Sequence, residues 1–440
     1  MIFFNVILAY GMETSFFRFY NKEEEKQKVV ETSMITIFWS TIAFVTLALT
    51  FRNHIAEFIA IDVKYVTYSI WILVLDALVI IPFSKLRVQQ RPMFYGILKI
   101  SNVVVNLTLN IFFLIYLPKL ATHNPAGIWR AMYFEDFQIG YVFLSNLIAS
   151  LLTFVMLSKD YFLLKWKFDI ALWKKMMKYG LPILIAGIAF AINEQFDKIL
   201  LAKLLPPNIA DAQVGVYSAC YKLGLFMVLY RTAYTLGIEP FFFSHAKNEN
   251  APQTYATITK YFVIFGSFIL LVVIVFADLF KQIMIRDSSY WEAMRVVPLI
   301  ILANFFLGIY TNLSVWYKLI DKTHMGAYIS IIGAALTLGL NFWLIPKPGY
   351  FGGYFGSAIA TLVAYCAMMM ISYYLGNKYY PIPYDKKKIS IYLGISILFS
   401  AISFYIYREN YFVGVALIAL FSLLIYKFEK ETLLKIIQRK

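Results

Sequence analysis

The sequence predicts an all-α fold: a polytopic membrane helical bundle of two six-helix lobes related by a pseudo-twofold axis along the membrane normal, followed by a C-terminal helix pair. Three observations carry this expectation. Hydrophobic residues make up 61% of the 440 and charged residues only 15%, with mean hydropathy +0.68, whereas a soluble chain is about a quarter charged. Apolar runs of about twenty residues, the length that crosses a bilayer as a helix, recur from end to end. The third observation is that the chain contains itself twice.

Unpaired backbone groups are too costly in lipid, so the apolar runs are expected to be helices. The short alternating segments of a transmembrane β-barrel are missing from the sequence. Thirteen spans are expected, near 1–20, 34–52, 65–84, 94–117, 140–158, 179–201, 214–243, 258–279, 293–317, 324–345, 352–375, 388–407 and 411–427. The connections between them are too short for a soluble domain. The first run has no basic leader and no small-residue cleavage site. It also carries Glu13 and Arg18, so it does not read as a signal peptide.

The duplication rests on three matches in the same order. Gly11-Met12-Glu13-Thr14-Ser15-Phe16-Phe17 reappears as Gly237-Ile238-Glu239-Pro240-Phe241-Phe242-Phe243. Arg87-Val88-Gln89-Gln90-Arg91 reappears as Lys318-Leu319-Ile320-Asp321-Lys322, and Leu107-Thr108-Leu109-Asn110-Ile111-Phe112 as Leu338-Gly339-Leu340-Asn341-Phe342-Trp343. The expected organisation is an N-lobe over 1–158, a basic linker over 159–178, a C-lobe over 179–377, and a helix pair with a basic tail over 378–440. In this register Met1 falls on Met227, in the middle of a span. The N-lobe is therefore expected to be N-terminally incomplete, its first helix missing. Restoring it gives six spans, six spans and a pair. An even number per half gives both halves the same orientation, and duplicated halves in a membrane chain point to a transporter.

The net charge of +15 does not indicate nucleic acid. When the loops are assigned alternately, most Lys and Arg fall on one side, among them Lys22, Lys26, Lys28, Lys85, Arg87, Arg91, Lys247, Lys386, Lys387, Lys388, Arg439 and Lys440. Few fall on the other, Arg52, Lys64, Lys119, Arg130 and Arg286 among them. This is the positive-inside bias, and it places the C-terminus in the cytoplasm. The 159–178 segment mixes Trp166 and Trp173 with six lysines, a pattern expected of an amphipathic helix on the inner leaflet. Cys220 and Cys366 sit in apolar spans, which excludes a disulfide framework and reads as packing. His54, His123, His245 and His324 lie at loops or span ends without metal-ligand spacing, and no phosphate loop precedes a helix. No catalytic constellation, metal site or cofactor is expected, and the chain reads as a transporter rather than an enzyme.

Short motifs in family order add a resemblance. Tyr10-Gly11-Met12-Glu13-Thr14-Ser15-Phe16-Phe17-Arg18-Phe19, Asp197-Lys198-Ile199-Leu200-Leu201-Ala202, Val214-Gly215-Val216-Tyr217-Ser218-Ala219 and Trp316-Tyr317-Lys318-Leu319-Ile320-Asp321-Lys322-Thr323 are four of them. Leu344-Ile345-Pro346, running into a turn with Gly349, Gly352, Gly353 and Gly356, is a fifth. With these the whole chain resembles the bacterial polysaccharide or O-antigen flippases of the multidrug/oligosaccharidyl-lipid/polysaccharide exporter superfamily. The resemblance implies translocation of undecaprenyl-pyrophosphate-linked oligosaccharide across the bacterial cell (inner) membrane. Its implied partners are the lipid-linked oligosaccharide, membrane lipids and polysaccharide polymerase machinery. The alternative within the superfamily is an ion-coupled drug exporter. A membrane glycan polymerase would need a larger outer loop than 118–139.

Charges inside spans are expensive and so become site candidates. Lys222, Arg18, Lys99 and Arg231 are the candidates for a cationic cavity facing a pyrophosphate, and Lys198 is a fifth intramembrane cation. Lys222 falls near the position of a cavity arginine in the similar lipid II flippases, though snorkelling to an interface is the competing reading. Arg231 lies on roughly the opposite face of the same helix unless that helix bends. Arg18 reads equally well as a positive-inside anchor. Glu13, Asp76, Asp197 and Glu239 are candidates for ion coupling. Glu13 and Glu239 are repeat mates beside Gly11 and Gly237, near span ends, where pairing with a neighbouring helix or facing water is the preferred reading. Lys198 is expected to pair with Glu194, one turn earlier.

Overall fold

The computed structural model describes residues 2–59, 61–123, 127–246, 248–285, 287–347, 349 and 351–437. Met1, on which the expected N-terminal gap rests, lies outside them, as do Lys247, Arg286, Arg439 and Lys440 of the charge count. The described residues are helical without strands, and twelve helices are long and apolar enough to cross a membrane. They are Lys26–Thr50, Val63–Val88, Pro92–His123, Gln138–Leu157, Ile170–Leu204, Pro207–His245, Ala251–Val275, Ser288–Leu319, Thr323–Leu344, Gly353–Tyr379, Lys386–Ile406 and Tyr411–Lys430. Each matches one expected span.

The thirteenth expected span, 1–20, is a correction. It is two short helices, Ile2–Ala9 and Met12–Lys22, separated by Tyr10 (φ 29°) and Gly11 (φ 73°). Left-handed backbone favours glycine, and here space demands it too. A Cβ on Gly11 would sit 2.3 Å from the Gly180 carbonyl oxygen. The Ser15 hydroxyl then donates to the Met176 carbonyl (3.1 Å), fastening the second piece to the Ile170–Leu204 helix.

A second correction concerns 159–178. In place of one amphipathic helix there is a four-residue helix, Lys159–Phe162, followed by an irregular stretch with Trp166 at φ 53°. The Asp169 carboxylate then accepts the Leu172 N–H (2.9 Å) and starts the long helix at Ile170. An aspartate caps the first turn better than the Trp/Lys pattern holds a separate surface helix. At 35 residues, or about 50 Å, that helix outruns the hydrocarbon core. Its lysine-rich first turns are simply its end. The chain divides into two compact units, 1–188 and 189–440.

Two local features recur in both units. After Arg87 the chain turns through Gln90 (φ 54°), and the Arg91 N–H donates to the Leu86 carbonyl (3.0 Å). After Lys318 it turns through Asp321 (φ 58°), and the Lys322 N–H donates to the Tyr317 carbonyl (2.8 Å). The Asn110 amide donates to the Asn106 carbonyl (2.8 Å), and its mate Asn341 to the Thr337 carbonyl (2.7 Å). Left-handed backbone at two non-glycine mates is uncommon enough to identify one inherited turn.

In the second unit Ser288–Leu319 is the central helix, with 78% of its span buried, against 11% for the outermost Tyr411–Lys430. Lipid gives little hydrophobic drive between helices, so close packing must hold them. Phe305 of the central helix fills the space above Gly266, and Phe262 of Ala251–Val275 fills the space beside Gly308. A Cβ at Gly266 would lie 2.2 Å from the Phe305 ring. Gly266→Val is expected to cost about 1–3 kcal/mol by overpacking, read as a lower thermal midpoint in detergent. An unchanged midpoint would contradict this packing.

The C-terminal pair docks on Ala251–Val275 through Tyr392 and Phe421, which pack on Ile264, Leu271 and Val275. Ion clusters clasp both ends. Glu429 accepts from Lys260 (2.7 Å) and Lys388 (2.8 Å). At the other end Asp278 pairs with Arg408 (3.0 Å) and with Lys281. Burial pushes the Asp278 carboxyl up, but Arg408 and Lys281 outweigh it and hold the group below its ordinary range. That end therefore contributes its full stability above the ordinary carboxylate range and loses it only as pH falls through the depressed value.

Candidate functional site

In the second unit, acidic and basic groups of Ile170–Leu204 and Pro207–His245 meet. Asp197 is 1% exposed. It accepts from the Tyr217 hydroxyl (2.9 Å), and the Lys198 ammonium lies 3.6 Å from it. Lys198 also sits 4.2 Å above the Tyr221 ring. Arg231 donates to Glu194 (3.1 Å). The Tyr365 hydroxyl, from Gly353–Tyr379, is buried with no hydrogen-bond partner among the described residues. Beside them Thr337 donates to Asn193 (2.8 Å). Lys198 thus pairs with Asp197 and not with Glu194 as expected, because Arg231 has the reach and the charge to take Glu194.

Lys222 stands apart from this network. The helix tightens to a 3-10 turn at Lys222–Gly224, where Gly224 lies against Ile300. Lys222 is exposed on that turn, inside a membrane span, with no hydrogen bond or ion pair among the described residues. An uncompensated ammonium there costs about 3 kcal/mol on insertion scales. Arg231, by contrast, is neutralised by Glu194 and does not stand open beside Lys222.

In the first unit Lys99 is exposed and lies 4.4 Å above the Phe83 ring, within electrostatic reach of Asp76. Asp76 accepts from the Ser150 hydroxyl (2.9 Å). Arg18 is half-buried on Met12–Lys22. Glu13 pairs with Arg87 at 2.5 Å, and the Arg87 guanidinium stacks 4.6 Å from the Phe17 ring. In the second unit Glu239 pairs with Lys318 at 2.8 Å. The two pairs are repeat mates at both ends. The sequence held this signal, because the Glu13/Glu239 match and the Arg87/Lys318 match each lie in the duplication. Only folding joins one to the other. No group of acidic, histidine or cysteine side chains among the described residues is arranged to hold a metal ion.

The family model described as polysaccharide biosynthesis protein matches residues 1–243. No curated protein matches the sequence. Among solved structures the chain is similar to the Vibrio cholerae MATE transporter VcmN in the bent form, with TM-score 0.64 and 16% identity over 86% of this chain and 87% of that one. It is similar to a MATE protein in the straight conformation, with TM-score 0.69 and 10% identity over 89% and 85%. A multidrug resistance MATE family transporter of the MOP superfamily, outward-facing, gives TM-score 0.65 and 13% identity over 89% and 85%. At these identities the likeness is one of fold.

Proposed function

Because this chain belongs to the polysaccharide biosynthesis protein family, and is a multi-pass membrane protein with the fold of MATE transporters, we propose that it is a flippase. Its cargo is an undecaprenyl-pyrophosphate-linked oligosaccharide, moved across the cytoplasmic membrane for polysaccharide biosynthesis. The observation that supports this reading is Lys222. An exposed, unneutralised cation inside a span invites an anionic group, and a pyrophosphate brings one. Three of the intramembrane carboxylates, by contrast, are already engaged, Glu194 by Arg231, Asp197 by Tyr217 and Lys198, and Glu239 by Lys318, while Asp76 accepts from the Ser150 hydroxyl. A cationic drug would find few open carboxylates.

The likeness to a multidrug resistance transporter favours a second reading, ion-coupled drug export, with Asp76 and Asp197 as the titrating groups. One pair of assays separates the two. Expressed in a strain lacking its polysaccharide flippase, the chain is expected to restore surface polysaccharide without lowering accumulation of a cationic dye. Dye efflux without polysaccharide would establish the exporter instead. The same cells test the proposed inner-membrane topology. Introduced cysteines at 281–285 should label from outside, and those at 378–388 should not.

A further inference from the structure

The two copies of the Gly-x-Glu motif hold the same helix in two conformations. In the first unit Tyr10 and Gly11, both at positive φ, break the helix ahead of Glu13. In the second unit Leu225–His245 runs unbroken through Gly237, although Pro240 removes a backbone donor from that turn. Beyond the motif both copies are pinned alike, Glu13 to Arg87 and Glu239 to Lys318. Ahead of it they differ. Arg231 reaches Glu194, whereas the matching position in the first copy is the uncharged Asn5. The copy with the ionic strut runs unbroken, and the copy without it breaks where Gly11 meets the Gly180 carbonyl. Two further ties ahead of Gly237 are uncharged: Tyr230 donates to the Phe262 carbonyl (2.9 Å), and Tyr234 accepts from the Asn312 amide (2.8 Å).

We infer that Gly237–Pro240 is a hinge of the second unit, kept unbroken by the Arg231–Glu194 pair and anchored on its far side by Glu239–Lys318. Glycine and proline together are the ordinary cause of a sharp helix bend. Bending here moves the segment that carries Lys222 and Arg231 while 239–245 stays fixed. An anionic cargo group competing with Glu194 for Arg231 is the trigger, and that clause alone rests on the flippase reading. The hinge itself needs no cargo.

Position 237 makes the test clean, because a Cβ there meets nothing within 4 Å. Gly237→Ala therefore changes backbone freedom without a clash. Hydrogen–deuterium exchange of the full chain in detergent is the readout, with no ligand added. Gly237→Ala is expected to slow exchange across 234–241 about fivefold, and Pro240→Ala by more. Glu194→Gln is expected to speed it, with 251–275 unchanged in all three. Should Glu194→Gln accumulate poorly, Glu194→Asp lengthens the same pair and is expected to shift exchange in the same direction. Exchange across 234–241 that is indifferent to all these variants overturns the hinge. In the polysaccharide assay Gly237→Ala is expected to lower export at equal membrane level. If the unaltered chain exports no polysaccharide while the exchange shifts hold, the hinge stands and the flippase reading falls.

Discussion

Lys222→Ala is expected to abolish polysaccharide export while leaving the protein in the membrane at its normal level. The residue touches no partner among the described residues, so its removal leaves nothing unpaired, and folding should tolerate it. What is lost is a charge-assisted contact to cargo worth up to about 3 kcal/mol, roughly a hundredfold in affinity. Lys222→Arg should retain part of the activity, since a mobile pyrophosphate asks for charge more than for fork geometry. Lys222→Glu should be as inactive as alanine. Normal complementation by Lys222→Ala would make the residue structural and move the cationic site to Lys99 or Arg18.

The largest effect on stability is expected at Glu429. Its carboxylate is 1% exposed and accepts from Lys260, Lys388, Tyr261 and Tyr392. Glu429→Gln leaves the Lys260 and Lys388 ammonium groups without the carboxylate that joins them. Breaking one partner of a buried pair costs about 3–5 kcal/mol. The lower end applies here, because Lys388 is 36% exposed and regains water. Thermal unfolding in detergent should show a lowered midpoint, and proteolysis should release the 386–437 pair first. Glu429→Gln with Lys260→Met, which removes one stranded charge, should recover part of the loss. A single variant that melts with the unaltered protein would show that apolar contacts of Tyr392 and Phe421 suffice to dock the pair.

The composition and the length of the apolar runs by themselves determined the class of this protein and twelve of its spans. The reason is that lipid leaves the backbone one economical conformation, so hydropathy and helix coincide. The duplication was legible too, down to the pairing of Arg87 with Lys318 and of Glu13 with Glu239 across the repeat. Two helix readings failed, one through a contact distant in sequence and one through a local cap. The first apolar run breaks at Gly11 because the chain must pass the Gly180 carbonyl, a contact some 170 residues away that periodicity cannot see. The 159–178 segment begins a long helix because Asp169 caps it, a signal that the Trp/Lys pattern masked. Tertiary structure alone decided which charges remain open. Sequence placed Lys222 and Arg231 on one helix, on roughly opposite faces, without showing which of them finds a partner. Folding set Glu194 against Arg231 and left Lys222 on an exposed turn, because ion pairing depends on distance across helices, and distance across helices is what a sequence does not carry.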